Sequence, residues 1–228
     1  MQESGAQQHR QLKVVDLSSQ QVEPPVFEPA HHRIVRGKKR EFDRVERRKV
    51  NQIDGIVIHQ TGCPFGVTSG QIKAAGGDPI LAKHKRALGI AAHMTAFNTG
   101  YAVLAHPLDW YVFHANTLNA RSLGIEIEGL YPELVGDKEL LVGPLLDAAK
   151  DGLTYLVQKG REQKMPLKWV WAHRQSSLTR PADPGEEVWR KLVLEFAMPT
   201  LGLVSQPEFI SGGKTLPVEW RPAKSGGR

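Results

Sequence analysis

The stretch KWVWAHRQSSLTRPADPGEEVW, residues 168–189, changes character three times along its length. It opens on an apolar run, 168–173, in which Trp169, Trp171 and His173 share one strand face. A polar loop follows. Asp183-Pro184-Gly185 then leads into a helical pattern, with Val188, Trp189, Leu192, Val193 and Phe196 along one side to about Met198. Strand, loop and helix in that order are one unit of an α/β domain. A histidine at a strand end and a carboxylate ten positions later can converge on one ion, provided the loop folds back.

The upstream chain repeats the alternation. Residues 53–59, IDGIVIH, are apolar on both faces, with Ile53, Val57 and His59 on one and Ile56 and Ile58 on the other. That pattern belongs to a central buried strand, here ending on His59 before the polar Gln60-Thr61-Gly62. Residues 69–88 read as helical pieces broken at Gly76-Gly77-Asp78-Pro79, with His84 among lysines and arginines and expected at the surface. AAHMTAF and YAVLA flank Asn98-Thr99-Gly100 as a hairpin, with His93 on its first strand. His114 closes the aromatic run PLDWYVFHA. In SLGIEIEG, residues 122–129, Leu123, Ile125 and Ile127 alternate with Gly124, Glu126 and Glu128, so two carboxylates share a face. Within 137–159, Leu145, Ala148, Ala149, Gly152, Leu153, Leu156 and Val157 keep helical spacing from Pro144 onward, and Lys159 and Gly160 close the helix. The fold class expected is α/β, a mixed central β-sheet with flanking helices, as one domain over 46–199. Residues 1–45 read as a polar, basic extension, and the Arg- and Lys-rich run Arg33–Arg48 as a solvated segment or an electrostatic patch; 200–228, the C-terminal tail, is Pro/Gly-rich and reads as an ordered wrap or a loose end.

The formal net charge of +6 suits a polyanionic partner: nucleic acid, an anionic membrane or the acidic bacterial wall. No Lys/Arg stripe interleaved with aromatics is present, so nucleic acid is not favoured. With one cysteine, Cys63, neither an internal disulfide nor a Cys-based structural zinc site can form. The N-terminal residues lack the apolar core of a secretory signal, and no run of 18 apolar residues suggests a membrane span.

His, His and a carboxylate form one of the ligand sets of zinc hydrolases, which keep a coordination position open for water. Such a metal polarises a carbonyl and acidifies water, and a nearby carboxylate takes the proton. His59, His173 and Asp183 are the candidate ligands, with Glu126 as base. Plain alternatives stand beside each. Asp183 before Pro184 is also a good helix N-cap, with Glu186 and Glu187 in the first turn. His59 and His173 can be packed core histidines, and Glu126 can face solvent. No HExxH motif strengthens the metal reading. Cys63 near His59 raises a Cys/His peptidase, for which no third orienting group is evident.

IVIHQTG, AAHMTAFNTGYAVL, FHANTLNARSLGIEIEG and WAHRQSSLTRPADPGEEVW, in this order over roughly 50–198, resemble the type-2 family of zinc-dependent N-acetylmuramoyl-L-alanine amidases, whose fold phage amidases and peptidoglycan-recognition proteins share. The resemblance implies zinc held by His59, His173 and Asp183. It implies Glu126 as catalytic glutamate. Where some members carry a lysine this chain departs with Pro181, and the adjacent Arg180, a hydrogen-bond donor that stays charged, is expected to reach the same oxyanion. His114 and Asn119, with His93, are expected to contact substrate. Ala92 stands where phage-type members have tyrosine. The implied reaction is cleavage of the amide between N-acetylmuramic acid and L-alanine in peptidoglycan or muropeptides. The alternative is a non-catalytic peptidoglycan-binding module of the same fold. Neither nucleic acid nor an integral membrane is expected as a partner. Synthesis in the cytoplasm and action on the wall, as a lysin, a recycling enzyme or an exported antimicrobial toxin, are all consistent; a toxin would bring an immunity protein or secretion partner.

Overall fold

The computed structural model describes residues 11–20, 25–28, 33–36, 47–134 and 140–222. Its centre is the strand expected from IDGIVIH. Strand β4 (Gly55–Gln60) is buried at every position. It lies parallel between β7 (Ser122–Ile127) and β8 (Trp169–Ala172). The hairpin β5 (Met94–Ala96) and β6 (Ala102–Leu104) is antiparallel, and β5 continues the sheet parallel to β7. Two edge strands come from segments expected to lie outside the domain: β1 (Val14–Asp16), parallel to β6, and β9 (Val204–Ser205), parallel to β8. The resulting order is β1-β6-β5-β7-β4-β8-β9, a mixed seven-stranded sheet. Strands β2 (Pro25–Glu28) and β3 (Arg33–Arg36) form a separate antiparallel pair. The rest of the basic segment up to residue 46 falls outside the described residues.

One sheet face carries the main core. Ile56, Ile58, Leu123, Ile125 and Ile127 pack there against Ala148, Ala149, Leu153 and Leu156 of helix α3 (Gly143–Glu162). The alternation read from IDGIVIH and SLGIEIEG put these five side chains together correctly. Ile53 joins the same core rather than the face of Val57; it lies ahead of the strand, as the extended residue that ends the 3-10 turn Val50–Gln52. Helix α3 does not end at Gly160, whose neighbour Leu167 fills the space above it; it runs to Glu162, and the chain turns at Lys164. On the opposite face, α1 (Ser69–Ala74) has a Thr68/Gln71 capping box and α2 (Pro79–Lys85) is capped by Asp78. His84 is buried there rather than exposed, with its Nε2 3.1 Å from Thr99 Oγ1 and its ring against Phe97 and Tyr101.

A third helical run is assembled from α4 (Glu186–Val188), a π-helical stretch (Trp189–Ala197) and α5 (Met198–Leu201), ended by Gly202 with φ 68°. Its buried side is the expected one, Val188, Trp189, Leu192 and Val193. Beyond it, residues 202–222 pack onto the domain, as the ordered wrap of the two readings open for this segment. Trp220 is fully buried and stacks on Trp189, and its Nε1 donates to Glu133 O at 2.7 Å.

Gly55 shows how closely β4 and β8 are fitted. A Cβ there would lie 2.1 Å from Cζ3 of Trp171. That indole is fully buried, donates from Nε1 to Gln206 Oε1 at 2.9 Å and packs on Phe209. Because it has no room to retreat, Gly55→Ala is expected to destabilise the fold by about 1–3 kcal/mol. Urea unfolding checks this: the midpoint should fall with an unchanged m-value, and an unchanged midpoint would refute it.

Candidate functional site

The parallel register sets the site. Across β4 and β7, His59 stands opposite Glu126. Across β4 and β8, Ile58 stands opposite Ala172, so the next residue, His173, emerges beside His59. Three side chains far apart in sequence thus meet at the carboxyl ends of three adjacent strands, where open α/β sheets place their ligands. The rings of His59 and His173 are 4.5 Å apart at their centroids.

The loop after His173 folds back, which the sequence alone had left conditional. Gln60 is its staple: Nε2 donates to Tyr131 O and Ala182 O, each at 2.9 Å, and Oε1 accepts from Tyr131 N. The backbone N–H of Gln60 also donates to Asp183 Oδ1 at 3.0 Å. Arg174, buried beneath the loop, donates to Pro181 O, Thr215 O and Glu133, and its guanidinium lies over the Trp220 ring. Asp183 Oδ2 is thereby held 2.9 Å from His173 Nδ1. Asp183 does not cap the following helix. Gly185 occupies the N-cap position, without a side-chain bond, and both Asp183 oxygens are engaged elsewhere.

Donor atoms of His59, His173 and Asp183 all lie within 4.8 Å of one another. Burial, followed by the neighbouring His173 and His114, holds His59 well below the usual histidine range, so it is a neutral nitrogen donor. Two imidazoles and one carboxylate suit zinc, and three protein donors leave a position open. The donor set therefore fits a zinc ion.

Glu126 points into the same cleft, with Oε2 buried and without a hydrogen-bond partner. Burial raises its pKa well above the usual carboxylate range; the charge of Asp183 adds to this and Arg180 opposes it. The other carboxylate of the face is spent on structure: Glu128 accepts from Phe65 N at 2.7 Å and Asn98 N at 2.8 Å, and pairs with Lys83 at 2.8 Å.

The cleft has a volume of about 830 Å³. Arg180, His114 and Asn119 line it, as does Phe113, which precedes His114 in the cleft-lining motif that the resemblance implies; Tyr111, Phe65 and Thr179 line it too, with no role attached in the sequence. The i,i+2 spacing of Tyr111 and Phe113 was the available signal for a shared wall; their rings are 4.9 Å apart. His93 is not among the lining residues. It is fully buried, with Nδ1 accepting from Gly124 N at 3.1 Å and Nε2 2.9 Å from Arg48 Nη2, so it is not exposed for substrate contact. Arg48, expected within a solvated segment, is buried. It donates to Asn119 O, Ser122 O and Leu108 O at 2.5–2.8 Å, and burial pulls its pKa down to about 10. Cys63 is exposed and bridges Gly129, and the first helix after it begins only at Ser69, so no helix terminus activates the thiol.

The family model described as N-acetylmuramoyl-L-alanine amidase matches residues 49–186, more than half of the chain. No curated protein sequence matches it. Among solved structures, the chain is similar to the N-acetylmuramoyl-L-alanine amidase LysC from Clostridium intestinale URNW, with a TM-score of 0.45 and 20% identity over 75% of this chain and 97% of that one. It is also similar to Drosophila PGRP-LB, with a TM-score of 0.48 and 19% identity over 84% and 96%. A third likeness is to Drosophila peptidoglycan recognition protein SD, with a TM-score of 0.47 and 20% identity over 78% and 90%. On the extent of the family match, which takes in both histidines, Asp183 and Glu126, this chain belongs to the type-2 N-acetylmuramoyl-L-alanine amidase family.

Proposed function

We propose that this protein is a zinc-dependent amidase that hydrolyses the bond between the lactyl group of N-acetylmuramic acid and the L-alanine of the stem peptide. The observation that carries the proposal is the convergence of His59, His173 and Asp183 in one cleft with Glu126, whose buried Oε2 has no hydrogen-bond partner. These three residues would hold the metal, and zinc bound there would polarise the amide carbonyl and acidify a water molecule.

The chain's own residues do the rest. Glu126 accepts a proton from the attacking water as oxygen adds to the carbonyl carbon. It returns that proton to the alanine nitrogen as the C–N bond breaks, giving a lactyl carboxylic acid and an amine, which exchange a proton to end as carboxylate and ammonium. Burial raises the pKa of this carboxyl above the usual carboxylate range, so it holds a proton more readily than an exposed glutamate, which suits the return of the proton to the leaving amine. Arg180, exposed on the cleft wall, is placed to donate hydrogen bonds to negative charge developing on the carbonyl oxygen. Tyr111, Phe113 and Phe65 offer apolar surface to the sugar and peptide. The net charge of +6 favours approach to anionic wall polymers.

The test measures zinc content together with mass spectrometry of products from whole sacculi and from soluble muropeptides. Zinc-loaded protein should release the L-alanine-terminated stem peptide from at least one of them, and which one identifies its working substrate. Zinc-loaded protein that binds either substrate but leaves the amide intact would overturn the catalytic reading in favour of a binding module. Asp183→Ala is expected to lose stoichiometric zinc and, with it, turnover. Full zinc retention by this variant, with native circular dichroism, would remove Asp183 from the ligand set.

A further inference from the structure

We propose that His114 is a positioning residue that fixes the tautomer of His59 and so leaves His59 Nδ1 as the nitrogen available to a metal. The inference deepens the zinc reading above and rests on it only for the last step.

The argument starts from the far end of a hydrogen-bonded chain. Ser122 Oγ donates its hydrogen to Leu118 O at 2.7 Å. Ser122 O is a carbonyl and already accepts from Arg48 Nη1 at 2.5 Å. His114 Nε2 lies 3.3 Å from each of these two oxygens. Both are acceptors toward the ring, so Nε2 must carry the hydrogen. The ring is buried, and the Arg48 guanidinium shares its Ser122 carbonyl, which makes a second positive charge there unfavourable. His114 Nδ1 is then a bare lone pair. It stands 3.0 Å from His59 Nε2. A hydrogen bond at that distance requires His59 Nε2 to be the donor, and a neutral ring with its hydrogen on Nε2 holds its lone pair on Nδ1.

Two further features hold His114 at its post. Asn119 Oδ1 accepts from the backbone N–H groups of His114 at 2.9 Å and Ala115 at 2.6 Å, which closes the turn that presents the imidazole. Gly124 clears the space behind the ring: a Cβ there would fall 2.6 Å from His114 Nδ1, the atom that receives the His59 hydrogen. The run from His114 to Gly124 thus reads as one device for supplying a directed acceptor to His59. Metal-binding histidines characteristically have such a partner on their second nitrogen; here that partner is another imidazole.

The experiment is long-range 1H–15N NMR of the histidine rings in metal-free wild-type protein at neutral pH. Both His59 and His114 should carry hydrogen on Nε2; hydrogen on His59 Nδ1 would overturn the inference. Zinc affinity by chelator competition supplies the second readout. His114→Phe, which removes the acceptor, should weaken zinc binding about 10- to 100-fold. His114→Asn, whose Oδ1 can take the place of Nδ1, should restore most of the affinity. Wild-type affinity in a folded His114→Phe would refute the positioning role, and if that variant fails to fold the wild-type tautomer decides alone. A wild-type protein that binds no zinc would sink the proposed function, while the NMR result would still decide the tautomer.

Discussion

Glu126→Gln should lower turnover by about 10²- to 10⁴-fold, the range that a positioned general acid–base supplies. Zinc content should stay at the wild-type level, because the side chain is not one of the three converging donors. Glutamine has nearly the same shape but can neither take nor return a proton. The same change should also raise thermal stability. Burial lifts the Glu126 pKa well above the usual carboxylate range, and Asp183 lifts it further. An acid whose folded pKa is raised contributes its stability at low pH and loses it as pH rises through that raised value. A neutral amide escapes this cost. Activity and stability moving in opposite directions would mark a functional carboxylate rather than a structural one. Near-native turnover in Glu126→Gln would defeat the assignment, and a fall in stability would place Glu126 among the structural carboxylates, with Glu128.

The second large effect is acid destabilisation of the metal-free protein. His106 is fully enclosed, with Nε2 3.0 Å from Ile90 O and Nδ1 without a partner. Burial lowers its pKa from 6.5 to about 4, against a partial rise from the Ile90 carbonyl. The unfolded chain therefore binds a proton between these two values that the folded chain refuses. Stability is full above pH 6.5 and drains away as pH falls toward 4. For His106 alone the loss by pH 4 is on the order of 3 kcal/mol. His93 is displaced in the same direction, by burial first and then by Arg48. Urea midpoints measured with chelator present should fall steeply over this window, and His106→Gln should flatten the slope by up to one proton. A pH profile that is level through the window, or unchanged in the variant, would contradict the assignment.

Much of this was legible in the chain. The two-sided apolar run IDGIVIH can satisfy its side chains only in the middle of a sheet, and it is β4. Strict alternation in SLGIEIEG separated Ile125 from Glu126 correctly, because successive strand residues must point opposite ways. Asp183 was harder. Its neighbours satisfy the rules for a helix cap, and nothing local distinguishes that role from bonding to Gln60 and His173, both distant from the helix start. His84 and Arg48 looked solvated because their sequence neighbours are basic, yet each is buried by residues from other elements. His93 was grouped with His114 and Asn119 as a substrate contact but points into packing against Arg48 and Gly124.

Local periodicity, turn chemistry and the order of motifs were enough to assign an α/β domain and to nominate His59, His173, Asp183 and Glu126. Those signals arise from each segment's own backbone geometry and from which face must avoid water. Residues 14–16 and 202–222 became part of the sheet and its core only through partners more than 30 residues away, namely Ala102–Leu104 for the first and Trp169, Val170 and Trp189 for the second. The same holds for the meeting of the site residues. Strand register, the Gln60 staple and the meeting of His114 with His59 are long-range contacts. A contact between distant segments leaves no periodic trace in either one, so it could be read only once the sheet had assembled.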